Sequence, residues 1–363
     1  MSTIQQIIFL ILVMLPAHYL YAQDPAFSAY GHHPTGSTRV LAMGGAFVGL
    51  ADDASAIITN PAGIALSRWG YDLQSTTNRV VNREGDIDYD GTNDGFPYRF
   101  NYTTGALRFK YIGIGVGYSI PYHIKEDFGG SLNSVQELKI ESYDVALSIR
   151  LGKSFSIGST LHFENVSMSF NDYFNNQSAN DKNEIVYPTL GVIFRPNNKI
   201  GFGITYSSER RYDVDENLNS NLLSVYNWFQ DLVIPAKLNL GLSLQFKKRL
   251  RLVGDLDFFY PTGNTYLLGS SSFDTANKIQ ERQFTLMHGG FEFTVISKKD
   301  LEFIWRGGGY QEPARLINAE DRFHFTMGVE IRLGIVKVSA AYDQAKDFTN
   351  YSQSIGLSIA DLY

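Results

Sequence analysis

The 363-residue chain contains no cysteine. That excludes a disulfide framework and any thiolate-ligated zinc or iron–sulfur centre. Charge is sparse too: Asp, Glu, Lys and Arg make up 19% of the residues, and the formal net charge is only −6. A disordered chain would carry few aromatics and a larger net charge, and nucleic-acid binding needs a basic field that a pI near 5.7 does not provide. No apolar run approaches the ~18 residues of a membrane-spanning helix. Gly-x-Ser-x-Gly is absent and glycine lacks the collagen period, so a hydrolase nucleophile elbow and a collagen fibre also fall away. What the chain has in quantity is Phe (25), Tyr (22) and Gly (33), at a mean hydropathy of −0.14. A large soluble core produces this mixture, and so does a barrel that shows apolar side chains to lipid.

Residues 7–15 form an unbroken apolar run, too short to span a bilayer, and Leu20-Tyr21-Ala22 follows. This reads as a secretory signal peptide over residues 1–22, cleaved after Ala22, although no Lys or Arg precedes the run. The competing reading is a buried N-terminal helix, and the turn-forming residues that follow weigh against it. An exported chain without a helical span is either soluble or an outer-membrane barrel.

Beyond about residue 70 hydropathy alternates with the two-residue period of strands that have one apolar and one polar face. Phe323, Phe325, Met327, Val329, Ile331 and Leu333 share one side, and Arg322, His324, Thr326, Glu330 and Arg332 the other. Leu238, Leu240, Leu242, Leu244 and Phe246 oppose Lys237, Asn239, Gly241, Ser243 and Gln245 in the same way. Strands are predicted at 71–79, 103–109, 112–120, 138–151, 155–170, 185–195, 199–212, 232–246, 250–260, 283–295, 301–310, 323–333, 335–342 and 351–363, an even fourteen. Most exceed the globular mode of about 5–6 residues. Tight turns at 152–154, 196–198 and 247–249 alternate with polar loops at 171–184, 213–231 and 261–282. The expectation is an all-β fold, a fourteen-stranded antiparallel transmembrane barrel over residues 71–363, with charges such as Asp144, His162, Glu164, Asp255, Asp257 and Glu330 in a wet lumen. A soluble periplasmic sheet with one solvated face shares the alternation but has no reason to alternate loop length. The last strand carries Ile355, Leu357, Ile359 and a terminal Tyr363, an ending suited to barrel assembly machinery, with Asp361 out of pattern.

Residues 23–70 stand outside this pattern and hold the densest motif: Arg39, then Met43-Gly44-Gly45-Ala46-Phe47, Gly49, Asp52-Asp53 and Asn60-Pro61-Ala62-Gly63. Asn60 before Pro61 favours an extended or turn geometry, Gly63 permits positive φ, and Gly44, Gly45 and Gly49 permit close backbone approach. Asp52 and Asp53 are expected to cap or to pair with lumen cations such as Arg306 or Arg332. A phosphate-binding loop is a poor reading, because no strand precedes these glycines and no Gly-Lys-Ser/Thr follows them. The segment resembles the opening of the FadL/TodX family, outer-membrane transporters of long-chain fatty acids and other hydrophobic molecules. Ile234-Pro235-Ala236, residues 250–259, and Arg306-Gly307-Gly308-Gly309-Tyr310 with Glu312-Pro313 look similar too. The resemblance implies an N-terminal hatch over residues 23–70 that plugs the barrel, gated through Arg39, Met43, Gly44, Gly45, Phe47, Asp52, Asp53, Asn60, Pro61, Ala62 and Gly63. It implies passive uptake of a hydrophobic ligand such as a long-chain fatty acid across the bacterial outer membrane, with membrane lipids and assembly machinery as partners and no cofactor or metal. The same opening occurs in type IX secretion shuttle barrels, so a binding or assembly barrel with a protein partner is the alternative.

Other chemistry is thin. His32-His33 lacks a third metal ligand at sensible spacing. Asp255 and Asp257, about 7 Å apart on one strand face, have the spacing of paired catalytic carboxylates, but lumen charge is the commoner explanation. In the loop at 217–233, Leu222, Leu223, Val225, Tyr226, Phe229 and Val233 recur at helical spacing and Trp228 extends the face. That helix suits a capture groove for a hydrophobic ligand, with Phe96, Tyr98, Tyr173 and Phe174 as neighbours; packing between loops or an aromatic girdle is the equal alternative. Gly113, Gly115 and Gly117 lie on one face of the third strand, where a kink would open a lateral exit.

Overall fold

The computed structural model describes residues 35–82, 98–128, 134–173, 176–212, 232–260, 284–298, 300–312, 321–346 and 350–362. The expected signal peptide and His32-His33 lie outside them, as do Leu222, Val225, Tyr226, Trp228 and Phe229, where a loop helix was expected. Fourteen antiparallel strands close into a barrel. They are β1 Trp69–Asn82, β2 Tyr98–Arg108, β3 Ile112–Phe128, β4 Ser134–Leu151, β5 Phe155–Asp172, β6 Gln177–Asn197, β7 Ile200–Ser207, β10 Lys237–Phe246, β11 Leu250–Phe259, β12 Phe284–Lys298, β13 Leu301–Glu312, β14 Arg322–Leu333, β15 Val336–Ala345 and β16 Asn350–Leu362. β1 closes on β16 from Trp69 opposite Leu362 to Asn82 opposite Asn350, so no edge strand remains. A two-stranded sheet, β8 Arg210–Tyr212 with β9 Leu232–Ile234, sits beyond the β7–β10 pair.

The alternation sorts side chains as expected. On β4, Tyr143, Val145, Leu147, Ile149 and Leu151 are exposed, whereas Ser142, Asp144, Ala146 and Ser148 are buried. Ile355 on β16 is 70% exposed while Thr160 on the inner face of β5 is 0% exposed. Lipid is the solvent that makes this arrangement stable, since a water-soluble chain does not leave so many Leu, Ile, Val and Phe uncovered. The apolar band on β4 is roughly 20 Å tall at about 3.3 Å per residue and about 40° of tilt. Above it the outer face turns polar: His123 meets Glu137 at 2.7 Å, Lys139 meets Glu141 at 2.9 Å, and the Tyr118 hydroxyl donates to Glu141 at 2.7 Å. At the short-turn end Phe109 and Tyr111 point outward as an aromatic rim.

Three departures from the expected strands have local causes. The predicted loop at 171–184 is mostly strand: β5 runs to Asp172 and β6 starts at Gln177, with residue 172 opposite 177. Both faces of this extension are polar above the lipid, which erases the alternation a strand is recognised by. β3 and β4 likewise extend to Phe128 and from Ser134. The single strands expected at 199–212 and 232–246 are each broken, the second at Pro235-Ala236, because proline has no N–H to give to a ladder. Leu147→Arg on the lipid face is expected to cost about 2–4 kcal/mol, and Lys153→Ala in the β4–β5 turn less than about 0.5 kcal/mol. Urea titration of the protein refolded into lipid vesicles measures both.

Candidate functional site

Inside the barrel, residues 35–68 form a hatch of short turns: α1 Thr38–Ala42, α2 Ala56–Thr59 and a 3-10 helix Pro61–Leu66. Its helices are too short to be stable alone, so its shape is set by what surrounds it. Val40, Met43, Ala46, Phe47, Leu50, Ala51, Ala54, Ile57, Ala62 and Ile64 make one buried cluster that includes Ala106, Ala146, Ile193 and Val253 of the wall.

The wall makes room for this plug with glycines. A methyl group on Gly203 or Gly241 would overlap the backbone at Val48 and Gly49, and one on Gly191 would overlap the Asn60 side chain. One on Gly290 would lie 2.6 Å from the Met43 carbonyl oxygen, and one on Gly158 2.6 Å from the Ala62 nitrogen. Gly113 and Gly115, proposed from sequence as a lateral opening, belong to this belt: their missing side chains are replaced by Ile64 and Ile57 of the hatch, while Gly117 faces Asp144 and Thr104. Gly44 (φ 66°) and Gly45 (φ 85°) take the left-handed region that turns the hatch back after α1. Gly63 does not: its φ is ordinary, and what it supplies is space beside the Ala51 carbonyl.

With no sheet of its own, the hatch satisfies its backbone on wall side chains. Asp255 accepts from the N–H groups of Phe47 (2.6 Å) and Val48 (2.8 Å), and Asp72 accepts from Ala54 N–H at 2.9 Å. Thr160 donates to the Ile57 carbonyl at 2.6 Å, Thr326 to Ala42 at 3.0 Å and Arg195 to Leu50. Asn60, fully buried, donates to the carbonyls of Val48 (3.0 Å) and Val192 (3.1 Å) and accepts from Ala62 N–H at 3.3 Å, so one side chain ties the 3-10 helix, the glycine turn and β6 together. Pro61 opens that helix at a position where a missing N–H costs nothing.

An ionic latch lies beneath. Arg39 pairs with Asp52 (2.7 Å), Asp53 (2.9 Å) and Glu292 of β12 (2.8 Å) and lies over the Phe47 ring. Arg251 of β11 reaches Asp52 at 3.3 Å and Glu292 at 3.2 Å. Arg306 joins Glu292 (2.9 Å) to Glu330 (3.0 Å). The partners expected for Asp52 and Asp53 therefore differ from those found: Arg306 serves Glu292 and Glu330, and Arg332 pairs with Glu302. Burial raises the Asp52 pKa, but the nearby guanidiniums of Arg39, Arg251 and Arg195 outweigh it and hold the carboxyl at about 2. Sequence reasoning placed Asp255 and Glu330 in the lumen as generic charge and did not single out Glu292, Arg251 or Thr160. Gly158 and Gly290 stand two positions before Thr160 and Glu292 on the same strand faces, but their meaning comes only from the plug that presses on them.

The hatch separates two cavities. Toward the loops, about 250 Å³ is enclosed by Val48 and Ile58 of the hatch, apolar Ile140, Phe259 and Leu286, and polar Asp144, His162, Glu164, Arg210 and Lys237. His162 is held between Asp144 (2.7 Å) and Thr189 (2.9 Å), and Arg210 pairs with Glu164 at 2.7 Å. Toward the short turns lies a charged vestibule of about 1170 Å³. Of the expected capture residues, Tyr173 is exposed in the β5–β6 turn, Tyr98 contributes backbone to β2, and Phe96 and Phe174 fall outside the described residues. Among the described residues no group of His, Asp or Glu forms a candidate metal centre.

No model of a known protein family matches the chain, and no curated protein matches it. Solved structures do. A FadL homologue from Pseudomonas aeruginosa superposes with a TM-score of 0.67 at 16% identity, over 91% of this chain and 99% of that one. The toluene transporter TbuX of Ralstonia pickettii gives 0.63 at 15% identity over 92% and 98%, and the toluene transporter TodX of P. putida 0.64 at 12% over 92% and 100%. The chain has their fold. At such identities the fold alone is shared, which is why the hatch contacts are argued from this chain's own residues.

Two outcomes follow for the hatch. Gly203→Val and Gly241→Val overpack the belt by about 1–3 kcal/mol, so cleavage within residues 35–68 by added protease becomes about tenfold faster or more, while the barrel keeps its heat-modifiable gel migration. Because Asp52 is depressed from 3.8 to about 2, its contribution is fully present above 3.8 and is lost as pH falls through about 2. The hydrogen-exchange protection that Asp52 adds to the hatch, read as the difference between wild type and Asp52→Asn, is therefore constant from neutral pH to about 4 and shrinks only below that.

Proposed function

We propose that the protein is an outer-membrane conduit for passive uptake of hydrophobic small molecules, gated by the hatch. The observation that carries this is the order of parts along the barrel axis: a half-apolar cavity facing the loops, a packed plug, and a vestibule beyond it. The similar solved structures are described as a FadL homologue and as toluene transporters, which agrees with that order. Within this reading the long-chain fatty acid is preferred to a pure hydrocarbon. Arg210 and Lys237 line the upper cavity beside apolar Ile140, Phe259 and Leu286, so cationic donors and an apolar wall face the same space. A ligand with an apolar body and a polar head uses both sides of such a cavity, and toluene uses one. Arg39, Asp52, Asp53 and Asn60 then act as gate residues, Met43, Phe47, Pro61, Ala62 and Gly63 as the plug body, and Leu222, Val225, Tyr226, Trp228 and Phe229 as the capture face.

A lateral exit is part of the proposal, and the wall indicates where to seek it. β2 and β3 pair without interruption from Arg108 opposite Gly113 to Tyr102 opposite Ser119, and there the pairing ends although β2 continues to Tyr98 and β3 to Phe128. The register of β3 with β4 shifts at the same point, between Ser119 and Tyr122, and both Ser119 and Pro121 line the upper cavity. The seam lies at the upper edge of the apolar band, immediately beyond Gly117. Export with the signal peptide and insertion by barrel assembly machinery complete the reading; a shuttle barrel holding a protein partner predicts a seam that stays closed.

Cells lacking endogenous uptake and expressing the chain are expected to accumulate radiolabelled oleate well above vector controls. Asn60→Ala, which removes three hydrogen bonds at about 0.5–1.5 kcal/mol each, is expected to change the rate severalfold. Accumulation equal to the vector control would exclude fatty-acid transport.

A further inference from the structure

The short-turn end of the barrel is charged in a way that uptake does not use. Lys110, Lys153, Lys199 and Lys247-Lys248-Arg249 sit on successive tight turns and are exposed, while the described turn residues include a single acidic side chain, Asp300. Lys199, Lys247, Lys248 and Arg249 make no ion pair among the described residues, and all four rim the vestibule. Deeper in, Lys337 and Arg332 stack on Trp69 at 4.0 and 4.7 Å, and at the ceiling stand Arg39, Asp52, Arg251 and Glu292, whose side chains keep 12–14% of their surface open to that space. The latch of the hatch is thus reachable from the short-turn side and shielded from the upper cavity by the hatch body. Its tie to β11 is the loosest, since the Arg251 contacts are 3.2–3.3 Å against 2.7–2.8 Å for Arg39 to Asp52 and Glu292.

We infer that this mouth docks an acidic polypeptide segment, which lies over Lys199, Lys247, Lys248 and Arg249 and brings a carboxylate to Arg251, where it competes with Asp52 and Glu292 and loosens the hatch. Charge complementarity selects the partner: cations converge on the lumen axis, so an anionic chain entering the mouth meets them at close range. Anionic lipid headgroups fit less well, because the same end presents Phe109, Tyr111, Leu151 and Leu333 to the bilayer. A carboxylate leaving water for the vestibule is compensated by guanidinium and ammonium donors already placed there. The inference rests on the conduit reading only for the side of the membrane, the periplasmic one, to which it assigns this end.

The test uses the full chain in detergent and a short fluorescent glutamate-rich peptide, with a lysine-rich peptide as control. Saturable binding of the glutamate peptide alone is expected, lost in about 1 M salt, where the Debye length is about 3 Å. The triple variant Lys247→Glu, Lys248→Glu, Arg249→Glu is expected to bind about tenfold more weakly or worse, with heat-modifiable migration retained. In wild-type protein the glutamate peptide is expected to speed amide exchange across residues 38–66, and in Arg251→Gln that acceleration disappears. Binding unchanged by charge reversal, exchange unaffected by the peptide, or displacement of the peptide by phosphatidylglycerol nanodiscs would each overturn the proposal. None of these readouts depends on uptake, so its failure and that of the conduit reading are separable.

Discussion

A plug folded inside a barrel has no sheet edge to pair with and no water to solvate its turns, so its backbone must come close enough to the wall for wall side chains to serve as partners. The rest of the molecule follows from that constraint. Close approach requires glycine wherever wall and hatch meet, as at Gly203 against Val48 and Gly241 against Gly49. It also requires short polar side chains between the glycines, which is why Thr160, Thr326, Asp72 and Asp255 hold hatch amides and carbonyls directly. The inner face is polar because it solvates a piece of irregular backbone, and the outer face is apolar because lipid covers it.

The two ends of the hatch are held differently. On the loop side the contact is close-packed, through Val48, Ile58 and the fully buried Asn60, with Asp255 accepting from the Phe47 and Val48 amides. On the short-turn side it is ionic, with Arg39 between two hatch aspartates and Glu292. In the proposed conduit a hydrophobic ligand arriving from outside meets the part of the plug that it wets but does not unlock. The ion pairs face the other way, so in that proposal filling and release use different chemistry.

Much of the architecture was readable in the sequence because lipid and lumen impose opposite demands on adjacent residues. Tyr143 to Leu151 and Phe323 to Leu333 alternate cleanly, and strand existence and order follow. Where both faces meet water the alternation vanishes, and the β5–β6 extension reads as loop. The hatch motif was visible as a motif, and the turn at Asn60-Pro61 was legible, but the reach of Asn60 to Val192 crosses 132 positions and depends on barrel closure. Wall glycines on β5, β6, β7 and β10 carry no local signal: each reads as a weak strand position until the plug is in place. The same holds for Glu292 and Arg251, ordinary inward charges whose importance comes from converging on Arg39.

The central claim is that the seated hatch closes the barrel. Electrical recording in planar lipid bilayers tests it most directly, comparing the full chain with one from which residues 35–68 have been deleted. The full chain is predicted to show no sustained ion conductance, and the deleted chain stable open steps. Equal conductance from both would contradict the account.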